Sequence, residues 1–125
     1  DSVSGGGAEL VASYLCRCIS QDKFNVSICY LKEKGYRGEE LEKESFNVFG
    51  IYDTGTTVSK YTTFLLLKKA VRLRAIDIIH SHSTGPLIDA CLCRLVYPKV
   101  RVVHTFHFGN YPHLKKKYLL MEKIL

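Results

Sequence analysis

No run of apolar residues in the sequence approaches the roughly 18 to 20 that span a bilayer, so no segment reads as a transmembrane helix. There is no tryptophan, no initiating methionine, no internal repeat and no low-complexity tract. The opening "DSVSGGG" has neither the basic start nor the apolar stretch of a signal peptide. Acidic residues are scarce in one half: residues 1–58 hold six Lys/Arg and nine Asp/Glu, a balance of −3, whereas residues 59–125 hold twelve and three, a balance of +9. The basic clusters lack interleaved stacking aromatics, and no helix-turn-helix or RNA-binding signature occurs, so nucleic acid is not an expected partner. An anionic membrane face, a phosphorylated ligand or a solvated basic surface remain as explanations of the asymmetry. What is present is a chain of 125 residues, 46% hydrophobic and 24% charged. That composition excludes disorder, and that length suits one modest core. The expectation is a cytoplasmic globular piece.

Cys16, Cys18, Cys29, Cys91 and Cys93 are odd in number, which argues against a secreted disulfide framework. Both C-x-C pairs fall in expected helices, where side chains two apart diverge by about 160 to 200° and cannot share a metal unaided. Reduced, semi-buried cysteines are expected.

Hydrophobic periodicity divides the chain into alternating helices and strands. Ala8, Val11, Ala12, Leu15, Cys16 and Ile19 form one helical stripe. "FNVSICY" at residues 24–30 is a strand, "KEKGYRGEE" a turn and "EELEKE" a short exposed helix with Glu near its start, where the helix dipole favours it. "FNVFGIY" is a second strand and "DTGTT" a loop. A basic amphipathic helix over residues 59–74 carries Leu66, Ala70 and Leu73 on one stripe, with Leu67 and Val71 beside it. "AIDIIHSH" is a short apolar strand, expected to be buried on both faces. "TGPLIDACLCRLVY" is a helix that tolerates Pro86 in its first turn and ends before Pro98. "KVRVVHTFHF" is a fourth strand, "GNYP" a loop and residues 113–125 a final Lys-rich helix. Such alternation indicates β-α-β units in a Rossmann-like, doubly wound parallel sheet of the α/β class.

In these sheets ligands bind beyond the carboxyl ends of the strands. Gly5, Gly6 and Gly7 open the first helix, so backbone can approach a ligand and helix N–H groups can meet an anion such as a diphosphate. A tight strand-to-helix turn would explain the same glycines. The run is neither G-x-G-x-x-G nor a Walker loop. His80 and His82 share one side of a strand, with His82 at its end toward the cleft and His80 expected as a buried, hydrogen-bonded core histidine. His104 and His107 differ by an odd number and point to opposite sides, His107 being the cleft candidate. Ser83, Thr105 and Gly109 stand beside them. A neutral imidazole there can hydrogen-bond a sugar hydroxyl or share a developing charge.

"SGGGAE" opening a helix, "AIDIIHSHS" some 70 residues on, "RVVHTFHF" after one more helix, and "LLMEKIL" together resemble the N-terminal, acceptor-side domain of family-4 retaining glycosyltransferases of the GT-B fold. The resemblance covers nearly the whole chain, 1–125. It implies transfer of a sugar from a nucleotide-sugar to a glycan or lipid-linked acceptor, with retention, and with no metal or other cofactor needed for the chemistry. Carried over by residue, it implies that Gly6 and Gly7 lie near the donor diphosphate and the acceptor, and that His82 lies near the transferred sugar. Thr105 and His107 match the Thr-x-His strand end beside the acceptor pocket, and Glu122 matches a Glu in the following helix. The sequence has "AID" where the family commonly has Pro before the Asp. The family's donor half, with its paired glutamates, has no counterpart in these residues.

Two other classes fit parts of the pattern. A metal-dependent hydrolase could use His80 and His82 as ligands, with Asp53 and His107 as the available additions, but would leave the glycine turn unexplained. The second is a non-catalytic nucleotide- or partner-binding Rossmann-like module. The basic helix and the Lys115, Lys116, Lys117 run, followed by Tyr118, Leu119 and Leu120, suggest peripheral contact with an anionic membrane at its inner face. A glycine turn that opens the first helix should follow a strand central to the sheet, so the expectation is a fragment lacking that first strand.

Overall fold

The computed structural model describes residues 6–52, 61–107 and Lys123. Eight elements alternate along the chain: α1 Gly7–Cys18, β1 Ser27–Tyr30, α2 Gly35–Lys43, β2 Asn47–Gly50, α3 Thr63–Leu73, β3 Ile78–Ser81, α4 Thr84–Val96 and β4 Arg101–His104. They fall into two compact units, Asp1–Thr57 and Val58–Leu125. Each unit holds one parallel strand pair, the pattern expected of a Rossmann-like half-domain. Ser27 to Tyr30 stand opposite Asn47 to Gly50, and Ile78 to Ser81 stand opposite Arg101 to His104. Among the described residues each sheet has two strands. The expected loop at residues 53–57, the "GNYP" loop and the final helix lie outside the described residues. No described helix is long and apolar enough to cross a membrane.

In the first unit, α1 has Glu9 in its first turn and Arg17 in its last, both matched to the helix dipole. Its most buried positions are Ser13 and Cys16, while Val11 is 39% exposed. The apolar stripe therefore missed Ser13, whose hydroxyl donates to the Leu10 carbonyl at 2.8 Å and so needs no water. α2 begins at Gly35, where φ is +62°, and absorbs the segment expected to be a turn. Its first turn holds no acid, contrary to the placement of Glu near the start. The Tyr36 hydroxyl instead bonds Glu40, one turn on. Leu41, wholly buried, anchors this helix.

In the second unit, α3 buries Thr63, Leu67 and Val71 at a spacing of four, and Leu73 is 75% exposed. The stripe is thus turned from Leu66, Ala70 and Leu73 toward the Leu67–Val71 edge, the geometry that α3 adopts in packing on α4. α4 supplies most of the core: Leu87, Ala90, Cys91 and Cys93 are at most 1% exposed, joined by Val100. Pro86 sits in its first turn, and Tyr97 closes it by donating to the Cys93 carbonyl at 2.8 Å. All five cysteines are free, and burial raises the thiol pKa of Cys16, Cys91 and Cys93. Cys18 is exposed rather than semi-buried.

Two helices end in the same way. After α2, Ser45 donates to Glu42 and Phe46 to Leu41; after α3, Ala75 donates to Arg72 and Ile76 to Val71. This is the Schellman closure, with Ser45 at φ +70° and Ala75 at φ +51° in the left-handed position.

β3 is not buried on both faces. Ser81 and Val102 point into the core, whereas Ile78 is 49% and Val103 47% exposed. α4 packs against both strands on one side, and the side carrying Ile78, His80, Arg101 and Val103 stays open among the described residues of this unit.

Candidate functional site

The register of the β3–β4 pair determines what meets at its carboxyl end. His80 stands opposite Val103 and Ser81 opposite His104, so the residues that follow each strand converge. The ladder continues one step, Thr105 donating its N–H to the Ser81 carbonyl at 3.0 Å. That step sets the Thr105 hydroxyl 2.8 Å from Nε2 of His80. Beyond it, Nδ1 of His82 lies 3.0 Å from Nε2 of His107, one ring donating and the other accepting. The rings form a contiguous run, His80 and His82 with centroids 4.2 Å apart and His82 and His107 stacked at 5.2 Å. His104 belongs to the opposite side, as the odd spacing implied. Its Nδ1 lies 2.8 Å from Oγ of buried Ser81, and its ring meets Phe106 edge-on.

Desolvation and the neighbouring rings favour the neutral form of His80, His82 and His104. Burial, then the neighbouring His80, His107 and His104, push the pKa of His82 from 6.5 down to about 4. Partial desolvation, then His107, lowers that of His80. Burial also lowers that of His104, opposed by a hydrogen bond to Ser81. A neutral His82 presents one nitrogen to His107 and leaves the other for a ligand hydroxyl.

His82, Thr105 and His107 are therefore brought together, and His80 joins them. His80 is exposed and bonded to Thr105, not the buried core histidine expected; the open sheet face on which it lies explains the difference. Ser83, in extended conformation, precedes the first turn of α4, whose N–H groups lie at this strand end. Gly6 and Gly7 belong to the first unit. Gly6 has φ −75° and ψ 162°, backbone that any residue adopts, and a Cβ there would meet only the end of the flexible Glu9 side chain. A Cβ on Gly7 would meet nothing within 4 Å. Neither glycine is required by the described fold. Gly109, Glu122, Asp53, Gly5 and the Lys115 to Lys117 run lie outside the described residues.

The link between His80 and Thr105 was missed in the sequence. Its signal was there, since a parallel pairing that aligns the two H-containing strand ends puts Thr105 one diagonal step from His80. Among the described residues, no three His, Cys, Asp or Glu side chains converge as a metal-holding group, and the hydrolase alternative is not favoured.

Parallel strands joined by helices make this an α/β chain of the Rossmann-like kind, with a polar histidine-rich cluster beyond the carboxyl ends of β3 and β4. The family model described as Glycosyltransferase Family 4 matches residues 5–125, and the chain belongs to that family. No curated protein and no solved structure matches it. Membership supports a transferase that handles sugar-containing substrates.

Proposed function

We propose that the chain is the acceptor-side half of a retaining GT-B glycosyltransferase, which moves a sugar from a nucleotide-sugar to a glycan or lipid-linked acceptor. A separate donor-binding half would complete the enzyme. The observation that carries this reading is the half-buried, neutral His82, held by His107 at a strand end of a family-4 domain. In this reading His82 is the catalytic group, hydrogen-bonding the transferred sugar and sharing charge as the glycosidic bond breaks. Thr105 and His107 border the acceptor, with Ser83 and Gly109 beside them. Gly6 and Gly7 allow close approach of the donor diphosphate, which accounts for two glycines that the fold itself does not require. No metal or other cofactor enters the chemistry, the nucleotide-sugar being substrate.

The enzyme works in the cytoplasm in glycan biosynthesis, touching the inner face of the membrane. The exposed Leu65 and Leu73 of α3, interspersed with Lys69 and Arg72, support that contact. The test is incubation of the full-length enzyme with a panel of nucleotide-sugars, following donor hydrolysis and transfer with and without chelator. His82→Gln should lower kcat by about 10²-fold with the fold retained. The product's anomeric configuration, read by NMR, should match the donor's. Failure to bind any donor overturns the reading. Co-sedimentation with anionic but not neutral liposomes checks the membrane contact.

A further inference from the structure

We propose that His80 is a positioning residue of this site: its ring holds the Thr105 hydroxyl in one orientation, so that Thr105 meets an acceptor hydroxyl with a fixed hydrogen-bonding edge. The inference rests on the glycosyl-transfer reading, in which Thr105 borders the acceptor and His80 has no part.

The first support is how Thr105 is held. It lies one step beyond β4, and β3 grips it twice. Its N–H donates to the Ser81 carbonyl at 3.0 Å, and its Oγ1 lies 2.8 Å from Nε2 of His80. The first bond fixes the backbone, and the second selects among the staggered positions of a β-branched side chain. A threonine hydroxyl has one hydrogen to give and two lone pairs. The His80 bond takes one of these three positions, whichever tautomer the ring adopts, and sets the direction of the other two.

The second support is where the bond lies. Two imidazole–hydroxyl pairs link the ends of β3 and β4, one on each face of the sheet. Ser81 and His104, 2.8 Å apart, make the inner pair, and Ser81 is buried. That bond satisfies a polar group inside the core, which the fold itself demands. His80 and Thr105 make the outer pair, with His80 exposed. Water could satisfy both groups there, so the outer bond adds little to stability, and what it supplies is orientation. The same ring also borders the proposed catalytic group, the centroids of His80 and His82 being 4.2 Å apart. One side chain thus supports the two groups that would face the sugar and the acceptor.

The test is a double-mutant cycle in the full-length enzyme, with UDP- and GDP-linked hexoses as donors and octyl glycosides as hydroxyl acceptors. His80→Phe keeps a ring beside His82 but removes the bond, and should raise the acceptor KM about five- to tenfold. His80→Gln, whose amide can reach the position of Nε2, should recover most of that loss. In a Thr105→Val background His80→Phe should change the acceptor KM by less than about twofold, because the hydroxyl it orients is gone. A ring that merely packs on His82 would cost as much in that background as alone. Full additivity of the two substitutions therefore overturns the proposal, as does an unchanged acceptor KM in His80→Phe. NMR of the ring nitrogens reads the same link without turnover, and decides where no glycoside is accepted or His80→Phe fails to fold. Thr105→Val should shift the His80 nitrogens and leave those of His104 in place; unmoved His80 nitrogens overturn the proposal. No turnover of any donor by the unmodified enzyme defeats the glycosyl-transfer reading and the role of His80 with it. Transfer with an unmoved acceptor KM defeats the role alone.

Discussion

Residues 6–52 and 61–107 each run helix, strand, helix, strand, and each enters a strand through a left-handed turn, at Ser45 in one and Ala75 in the other. Their interiors differ. Among the described residues of the first unit Leu41 and Ser13 are wholly buried, and exposed ion pairs join Arg17 to Glu44 at 2.6 Å and Lys34 to Glu42 at 2.7 Å. In the second, Leu87, Val100, Cys91 and Cys93 are wholly buried, and the histidine cluster stands at the edge of that packing. A set of neutral, partly desolvated imidazoles keeps its geometry only on a rigid support, and α4 provides one beneath both strands. The comparison teaches that, among the described residues, the unit with more wholly buried side chains is the one that carries the histidine cluster.

The largest expected effect tests that difference directly. Leu87→Ala should cost about 3 to 4 kcal/mol, and Leu41→Ala about 2 to 3, since removal of a core leucine leaves a cavity whose cost grows with the rigidity of its walls. Urea denaturation of both variants measures this, and an equal or larger loss for Leu41→Ala would break the comparison. Next comes pH. Native His82 titrates near 4 and an unfolded one near 6.5, so between these values the unfolded chain binds more protons. Stability is then complete above pH 6.5 and falls as pH drops toward 4, with His80 and His104 acting in the same direction. The His82 share is about 1 to 2 kcal/mol after discounting for the solvent-screened part of the ring. Thermal melts from pH 7.5 to 4 should show the decline, and His82→Gln should flatten it.

Smaller still, Ala75→Gly and Ser45→Gly should each stabilise by about 0.5 kcal/mol, the left-handed strain relieved being partly offset by glycine's greater freedom when unfolded. Similar gains at the two positions would show that the shared turn is equally strained in both units. Gly7→Ala should leave the melting temperature unchanged or slightly higher, while lowering transfer activity if that backbone serves a ligand. The smallest change is expected for Arg17→Ala: a fall in Tm of no more than about 2 °C that disappears in 1 M salt.

Element order and the polar strand ends could be read in the sequence because both depend on local pattern: apolar period, glycine and proline placement, and histidines two apart on a strand. His82 and His107 were identifiable on that basis. The start of α2 was not, since Gly35 and Gly38 amid charges read as a turn, and only the Tyr36–Glu40 bond and the burial of Leu41 favour the helix. The rotation of α3 depends on where α4 lies, which periodicity alone does not contain. The exposure of His80 likewise follows from which sheet face α4 covers.

The turn at Ala75 has a consequence well beyond its own strain. Its two closing bonds fix where helical geometry stops, and so set the phase in which Ile78, Ile79, His80 and Ser81 alternate. One residue inserted at Ile76 or Asp77 would exchange odd for even along the strand, turning His80 and His82 toward the core and Ile79 and Ser81 outward. A backbone closure with no functional group of its own thus acts as the indexing mark of the imidazole cluster, and the spacing from Ala75 to His82 is as much a part of the site as the ring at its end.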